Sequence, residues 1–155
     1  MRSIAICCVL LMVGGCATPK YGNFVESAPA DQARLASDVV RQLAVMYPPA
    51  RTRLDLQQPT PDPFGFALVQ GLRQRGYAVL EYHPAATKAE AVQTAATEPA
   101  EPAAPAVLTF RYVLDKAGDA KLYHLTMHVG TQTITRAYTF QDGAFAPASF
   151  WVRGE

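Results

Sequence analysis

One short pattern bounds everything that follows it. A single cation, Arg2, precedes an apolar run from Ser3 to Val13, and the small pair Gly14-Gly15 then leads into Cys16. A charged n-region, an apolar h-region and a small-residue junction make a secretory signal peptide that is removed on export. The apolar run is eleven residues, too short for a hydrocarbon core that takes about 20 helical residues to cross. Cys7 and Cys8 leave with this segment, so Cys16 is the only cysteine that remains. A single cysteine cannot form an internal disulfide, even in a compartment that permits one. The exported chain is therefore expected to hold its fold by burial alone.

A cysteine directly after the small pair resembles a bacterial lipobox. That resemblance implies that residues 1–15 are cleaved, that Cys16 becomes the first mature residue, and that it carries diacylglyceryl and acyl (palmitate-type) chains. Two or more acyl chains anchor stably, at roughly 0.8 kcal/mol per buried methylene. Ala17 follows, rather than Asp, which by the enterobacterial sorting pattern implies the outer membrane, facing the periplasm.

After cleavage thirteen Lys and Arg (fourteen less Arg2) stand against thirteen Asp and Glu. A near-neutral chain with scattered cations lacks the basic face of a nucleic-acid binder, and no direct nucleic-acid contact is expected. The 140 mature residues fit one domain. Residues 16–30 read as a lipidated tether and 31–155 as a single domain. Within it, about 84–106 is an Ala/Pro/Glu-rich insert whose only sizeable aliphatic is Val92. Such a segment cannot offset its ordering entropy and is expected to be disordered, with at most a weak helix over 87–96.

The remaining elements follow from periodicity. Leu35, Val39, Leu43 and Met46 make one stripe of a helix over 31–46, which Pro48-Pro49 ends. A short strand covers 52–57. Asp62 is a good N-cap before Pro63, a helix follows, and Gly76 closes it ahead of a strand over 77–82. This is a β-α-β unit. Three alternating segments, 107–115, 121–129 and 132–140, form an antiparallel meander. Residues 145–152 would add an edge strand or pack as a flap, with Trp151 over the core. The sum, α-β-α-β, insert, β-β-β, predicts an α+β two-layer sandwich with two helices on one face of a mixed sheet.

No catalytic constellation emerges. His124 and His128 are four apart on a strand, hence about 13 Å apart, too far to share a metal unaided. His83 reads as a surface residue. No nucleophile elbow surrounds Ser27, Ser37 or Ser149, and no phosphate-binding loop is present. Gly65 and Gly71 read as close-packing positions inside a helix. Asp55 and Glu81 lack a recognisable partner. Arg136 stands out because alternation puts it with Ile134, Tyr138 and Phe140. Three roles are open to it: pairing with a buried carboxylate, facing a partner, or packing its stem on the sheet with its head at the rim. No cofactor, metal or enzymatic activity is expected.

Several segments taken together resemble a known family. They are Tyr21-Gly22-Asn23-Phe24-Val25, Met46-Tyr47-Pro48-Pro49-Ala50, Leu56-Gln57-Gln58-Pro59-Thr60-Pro61-Asp62, Gly71-Leu72-Arg73, Arg75 to Tyr82, Arg111 to Asp115, Thr135-Arg136-Ala137-Tyr138 and Phe150-Trp151-Val152-Arg153. The combination is similar to the conjugal transfer protein TrbH family, lipoproteins of the mating-pair-formation apparatus. The resemblance implies a non-enzymatic, lipid-anchored component of a conjugative type IV secretion system that docks on other envelope channel proteins. It carries over one residue, the lipid-bearing Cys16. The alternative is a periplasmic lipoprotein module that binds peptidoglycan or a small ligand.

Overall fold

The computed structural model describes residues 20–84, 105–118 and 121–154. Its elements run β1 (Gly22–Asn23), α1 (Pro29–Met46), a 3-10 turn (Pro49–Arg51), β2 (Thr52–Leu56), α2 (Pro63–Gln74) and β3 (Ala78–Leu80). Then come β4 (Ala106–Lys116), β5 (Leu122–Val129), β6 (Gln132–Gln141), β7 (Ala144–Pro147) and β8 (Val152–Gly154). Both helices lie against one face of a mixed, open, eight-stranded sheet, as the periodicity predicts. The predicted helix over 87–96 and most of the insert lie outside the described residues.

The strand order is β3-β2-β4-β5-β6-β7, with β1 added to β4 and β8 to β6. β2 pairs in parallel with β3 and β4, and from β4 onward the sheet is an antiparallel meander. The β-α-β unit forms as expected, because twelve residues of α2 carry the chain across to a parallel neighbour. Strand β3 is shorter than the predicted 77–82. It is an edge strand with β2 as its neighbour in the sheet, and the ladder spans Arg53 to Asp55. Tyr77 turns inward instead, and its hydroxyl donates to the Tyr47 carbonyl.

Helix α1 begins at Pro29, two residues before the expected start. Proline at the first position leaves no unmet N–H, and the Ala28 carbonyl accepts from Asp31 and Gln32. Helix α2 is capped as its sequence indicates: Asp62 Oδ1 accepts from the Gly65 N–H at 2.9 Å. Gly76, at φ 88°, takes the left-handed conformation that ends it.

The core lies between helices and sheet. Leu35, Val39, Leu43, Phe64, Leu68 and Leu72 from the helices meet Leu54, Phe110, Tyr112, Leu114, Leu125, Met127 and Tyr138 from the strands. Each fully buried side chain of this size contributes roughly 1.5–3 kcal/mol. The two helices touch where Gly71 faces Val40, and a Cβ there would sit 3.0 Å from Val40 Cγ2. Both glycines inside α2 thus permit close packing.

Part of the stretch expected as a tether, 16–30, belongs to the folded domain, in β1 and the first residues of α1. Gly22 and Asn23 pair in parallel with Val113 and Leu114, and the Phe24 N–H donates to the Leu114 carbonyl. The pairing of β2 with β4 ends at Phe110. Beyond that point the edge of β4 is open, and residues 22–24 fill it. The C-terminal stretch is both strand and flap: β7 and β8 pair with different parts of β6, and Trp151 between them packs on the core.

Candidate interaction surfaces

Most of the groups that carry chemistry elsewhere have structural partners here, although the buried Ser27 hydroxyl has no hydrogen-bond partner among the described residues. His124 and His128 point to the helix-free face of the sheet, since they alternate with the buried Leu125, Met127 and Val129. His128 Nδ1 lies 3.2 Å from the Thr133 hydroxyl, and His83 Nδ1 lies 2.8 Å from the Glu81 carbonyl. Ser37 donates to the Ala33 carbonyl, and the Ser149 hydroxyl accepts from the Ala137 N–H. Asp55 accepts from Gln57, and Glu81 pairs with Arg73 at 2.6 Å on the surface. Among the described residues no cluster of three metal-ligating side chains occurs.

Arg136 resolves to the first of its three roles. Its Nη1 donates to Asp38 Oδ2 of α1 at 2.7 Å, with both side chains largely buried. Its Nε donates to the Ser149 carbonyl, and its guanidinium lies 5.3 Å from the Trp151 ring. The Tyr138 hydroxyl donates to the same Asp38 oxygen at 2.7 Å. Burial first, then the Asp38 carboxylate, push the Tyr138 hydroxyl well above the ordinary phenol range, with Arg136 opposing them. The phenol is therefore a fixed donor, not an acid. One arginine thus ties α1, β6 and the C-terminal flap together.

A second polar network ties down the N-terminal strand. The Asn23 amide donates to Gln32 Oε1 at 2.8 Å and to Asp62 Oδ1 at 3.1 Å. Gln32, 3% exposed on the core side of α1, also accepts from the Phe64 N–H and donates to the Val25 carbonyl. The Tyr112 hydroxyl donates to Asp62 Oδ2, and the Tyr112 N–H donates to Gln58 Oε1. Gln58 thereby fills the gap in the edge of β4 between the ends of β2 and β1. Alternation does not announce Asn23 or Gln58. Gln32 leaves one trace, a polar residue three positions before Leu35 at the head of the apolar stripe.

What remains exposed is broad. The sheet face away from the helices carries Arg53, Asp55, Thr109, Arg111, Asp115, His124, Thr126 and Thr135. A cleft of about 280 Å³ opens there, lined by His124, Thr126, Thr135, Arg136, Ala137, Ser149 and Val152. Val152 of its lining is 59% exposed, and Phe150, next to Ser149 in the chain, is 89% exposed, beside the outer edge that β7 and β8 form. The opposite edge is β3, with Leu80 partly exposed. Two strand edges left open among the described residues and a solvent-facing aromatic are features of a surface that receives another chain.

No helix among the described residues is long and apolar enough to cross a membrane. Cys16 lies outside those residues. The family model described as conjugal transfer protein TrbH matches residues 18–155. No curated protein and no solved structure matches the chain.

Proposed function

The chain belongs to the conjugal transfer protein TrbH family, and from that premise we propose that it is a lipid-anchored, non-enzymatic component of the conjugative type IV secretion apparatus. Conjugal transfer follows from the family, and with it association with the cell envelope. The finer reading is that Cys16 carries the lipid, that the anchor is in the outer membrane facing the periplasm, and that the domain docks on other envelope proteins of the channel.

The observation that carries the docking reading is the outer edge of the sheet. Among the described residues, β7 and β8 present strand backbone with no partner on its outer side, next to Phe150 and Val152, which are exposed. A partner strand added there gains main-chain hydrogen bonds, and the apolar side chains give it an anchor. Polar groups at the centre of the domain are committed to one another, as in Asp38–Arg136–Tyr138 and Asn23–Gln32–Asp62. That commitment supports a scaffold better than a reaction centre.

The second reading, a module that binds peptidoglycan or a small ligand, rests on the cleft beside Ser149. At about 280 Å³ it falls just short of typical ligand pockets of roughly 300–1,000 Å³, so docking is favoured. Photo-crosslinkers at positions 150 and 152 of the full chain, in mating donor cells, separate the two. Docking predicts adducts with other envelope proteins of the apparatus, from lipidated protein labelled by palmitate at Cys16. A chain that takes up no label and yields no such adduct contradicts it.

A further inference from the structure

We propose that the helix-free face of the sheet lies against the membrane surface, with both helices turned away from it. The inference rests on the lipid at Cys16 proposed above. It deepens that reading by naming the surface that meets the phospholipid headgroups.

Two facts set the orientation: the number of residues between Cys16 and the described chain, and the face of the sheet at which that chain begins. Tyr21 lies on the helix-free face: its ring stands 5.8 Å from His128 in an edge contact, and the Arg111 guanidinium lies 5.0 Å from it. Arg111 and His128 are register partners on β4 and β5, between residues buried on the opposite side. Lys20 also reaches over the Tyr21 ring at 5.7 Å. Gly22, Asn23 and Phe24 then bind the edge of β4. The domain's grip on its own N-terminal chain thus begins at residue 20.

Four residue steps separate Lys20 from Cys16, and a fully extended chain covers at most about 3.6 Å per residue, or about 14 Å here. A lipidated cysteine sits at the headgroup boundary. A leash of that length, leaving from the helix-free face, holds that face within about one headgroup layer of the bilayer. The opposite orientation would pass the leash around the thickness of the sandwich, and a helix alone is about 10 Å across. Charge on the face is close to balanced, with Lys20, Arg53 and Arg111 against Asp55 and Asp115. The short leash, not electrostatic attraction, sets the orientation.

The experiment uses the full lipidated protein in vesicles of phosphatidylethanolamine and phosphatidylglycerol, some headgroups carrying a quencher. A fluorophore is attached through T109C or H124C on the helix-free face, or through S37C or V45C on the outer side of α1; the lipidated Cys16 is a thioether and does not react. Labels on the sheet face should be quenched about twofold more strongly or better, given the roughly 10 Å of helix between the two sets. A twenty-residue Gly/Ser insertion between Ala17 and Thr18, spanning about 25 Å, should erase the difference. Equal quenching of both sets without the insertion, or stronger quenching of the α1 labels, overturns the orientation and leaves the anchor standing; a sheet-face bias that survives the insertion overturns the leash as its cause. Protein that fails to float with the vesicles overturns the anchor itself and the orientation with it.

Discussion

Asp38 and Arg136, 98 positions apart in the chain, meet at 2.7 Å between α1 and β6. Both side chains are less than one-fifth exposed. Asp38 also accepts from Tyr138 and pairs with Arg41 at 3.0 Å, while Arg136 reaches the Ser149 carbonyl. Removing the Asp38 charge leaves the largely buried Arg136 with no carboxylate partner among the described residues, while removing Arg136 leaves Asp38 with Arg41 and Tyr138 alone. Arg136→Met and Asp38→Asn should each lower stability by about 1–3 kcal/mol in denaturant unfolding, since hydrogen bonds to charged groups are worth that much. The double variant should lose less than the sum. Additive losses would show that the pair is not coupled.

Gly65 tests how tightly α2 is seated. A Cβ at this position would lie 2.5 Å from the Tyr112 hydroxyl oxygen and 2.8 Å from Thr60 Cβ. Gly65→Ala should therefore cost roughly 1–3 kcal/mol through overpacking, despite the better helix propensity of alanine. At Gly71 the nearest neighbour is one methyl of Val40 at 3.0 Å. There the gain of up to about 1 kcal/mol in propensity offsets the contact, and Gly71→Ala should be close to neutral. Melting temperatures of the two variants decide the contrast.

The buried phenols set an alkaline limit. Burial pushes the Tyr77 hydroxyl from 10.0 up to about 12, with Arg75 pulling the other way. Burial and then Asp62 push Tyr112 further still, and burial and then Asp38 do the same for Tyr138. Above pH 10 the unfolded chain gives up these protons while the folded chain keeps them, so stability falls as pH rises. It should be undiminished by these groups below pH 10 and decline steadily through pH 12. Denaturant midpoints measured across that range, with Tyr112→Phe showing a shallower decline, check the sign and the residue.

Most of the fold was legible because its elements are strongly periodic. Leu35, Val39 and Leu43 define α1, and the alternating residues of β4 and β5 define the meander. The Asp62-Pro63 cap and Gly76 bracket α2 to within a residue. The misreadings came where tertiary context overrides local pattern. Nothing in Gly22-Asn23 marks a strand; two residues become one because β2 stops at Leu56 and leaves the β4 edge open. Strand β3 starts late because Tyr77 turns into the core, its hydroxyl on the Tyr47 carbonyl. Arg136 stands out in the alternation of β6, yet its partner does not, because Asp38 lies outside the Leu35, Val39 and Leu43 stripe of α1. A carboxylate at the border of a helix stripe turns inward when the facing strand supplies a cation.

The Ala/Pro/Glu segment gives an independent check on the core. Its composition offers almost nothing to bury, and the core residues among those described lie on either side of it. Deleting residues 88–100 should leave the thermal midpoint nearly unchanged. A large fall would mean that this segment packs on the domain.

Anchoring at Cys16 is the centre of the account, and transfer itself reports on it. In a donor lacking this gene, the wild-type chain should restore plasmid transfer frequency. Cys16→Ser, exported and folded to the same level, should fail to restore it. Full restoration by Cys16→Ser would contradict the account, because a domain that works without its anchor is not held at the membrane to do its work.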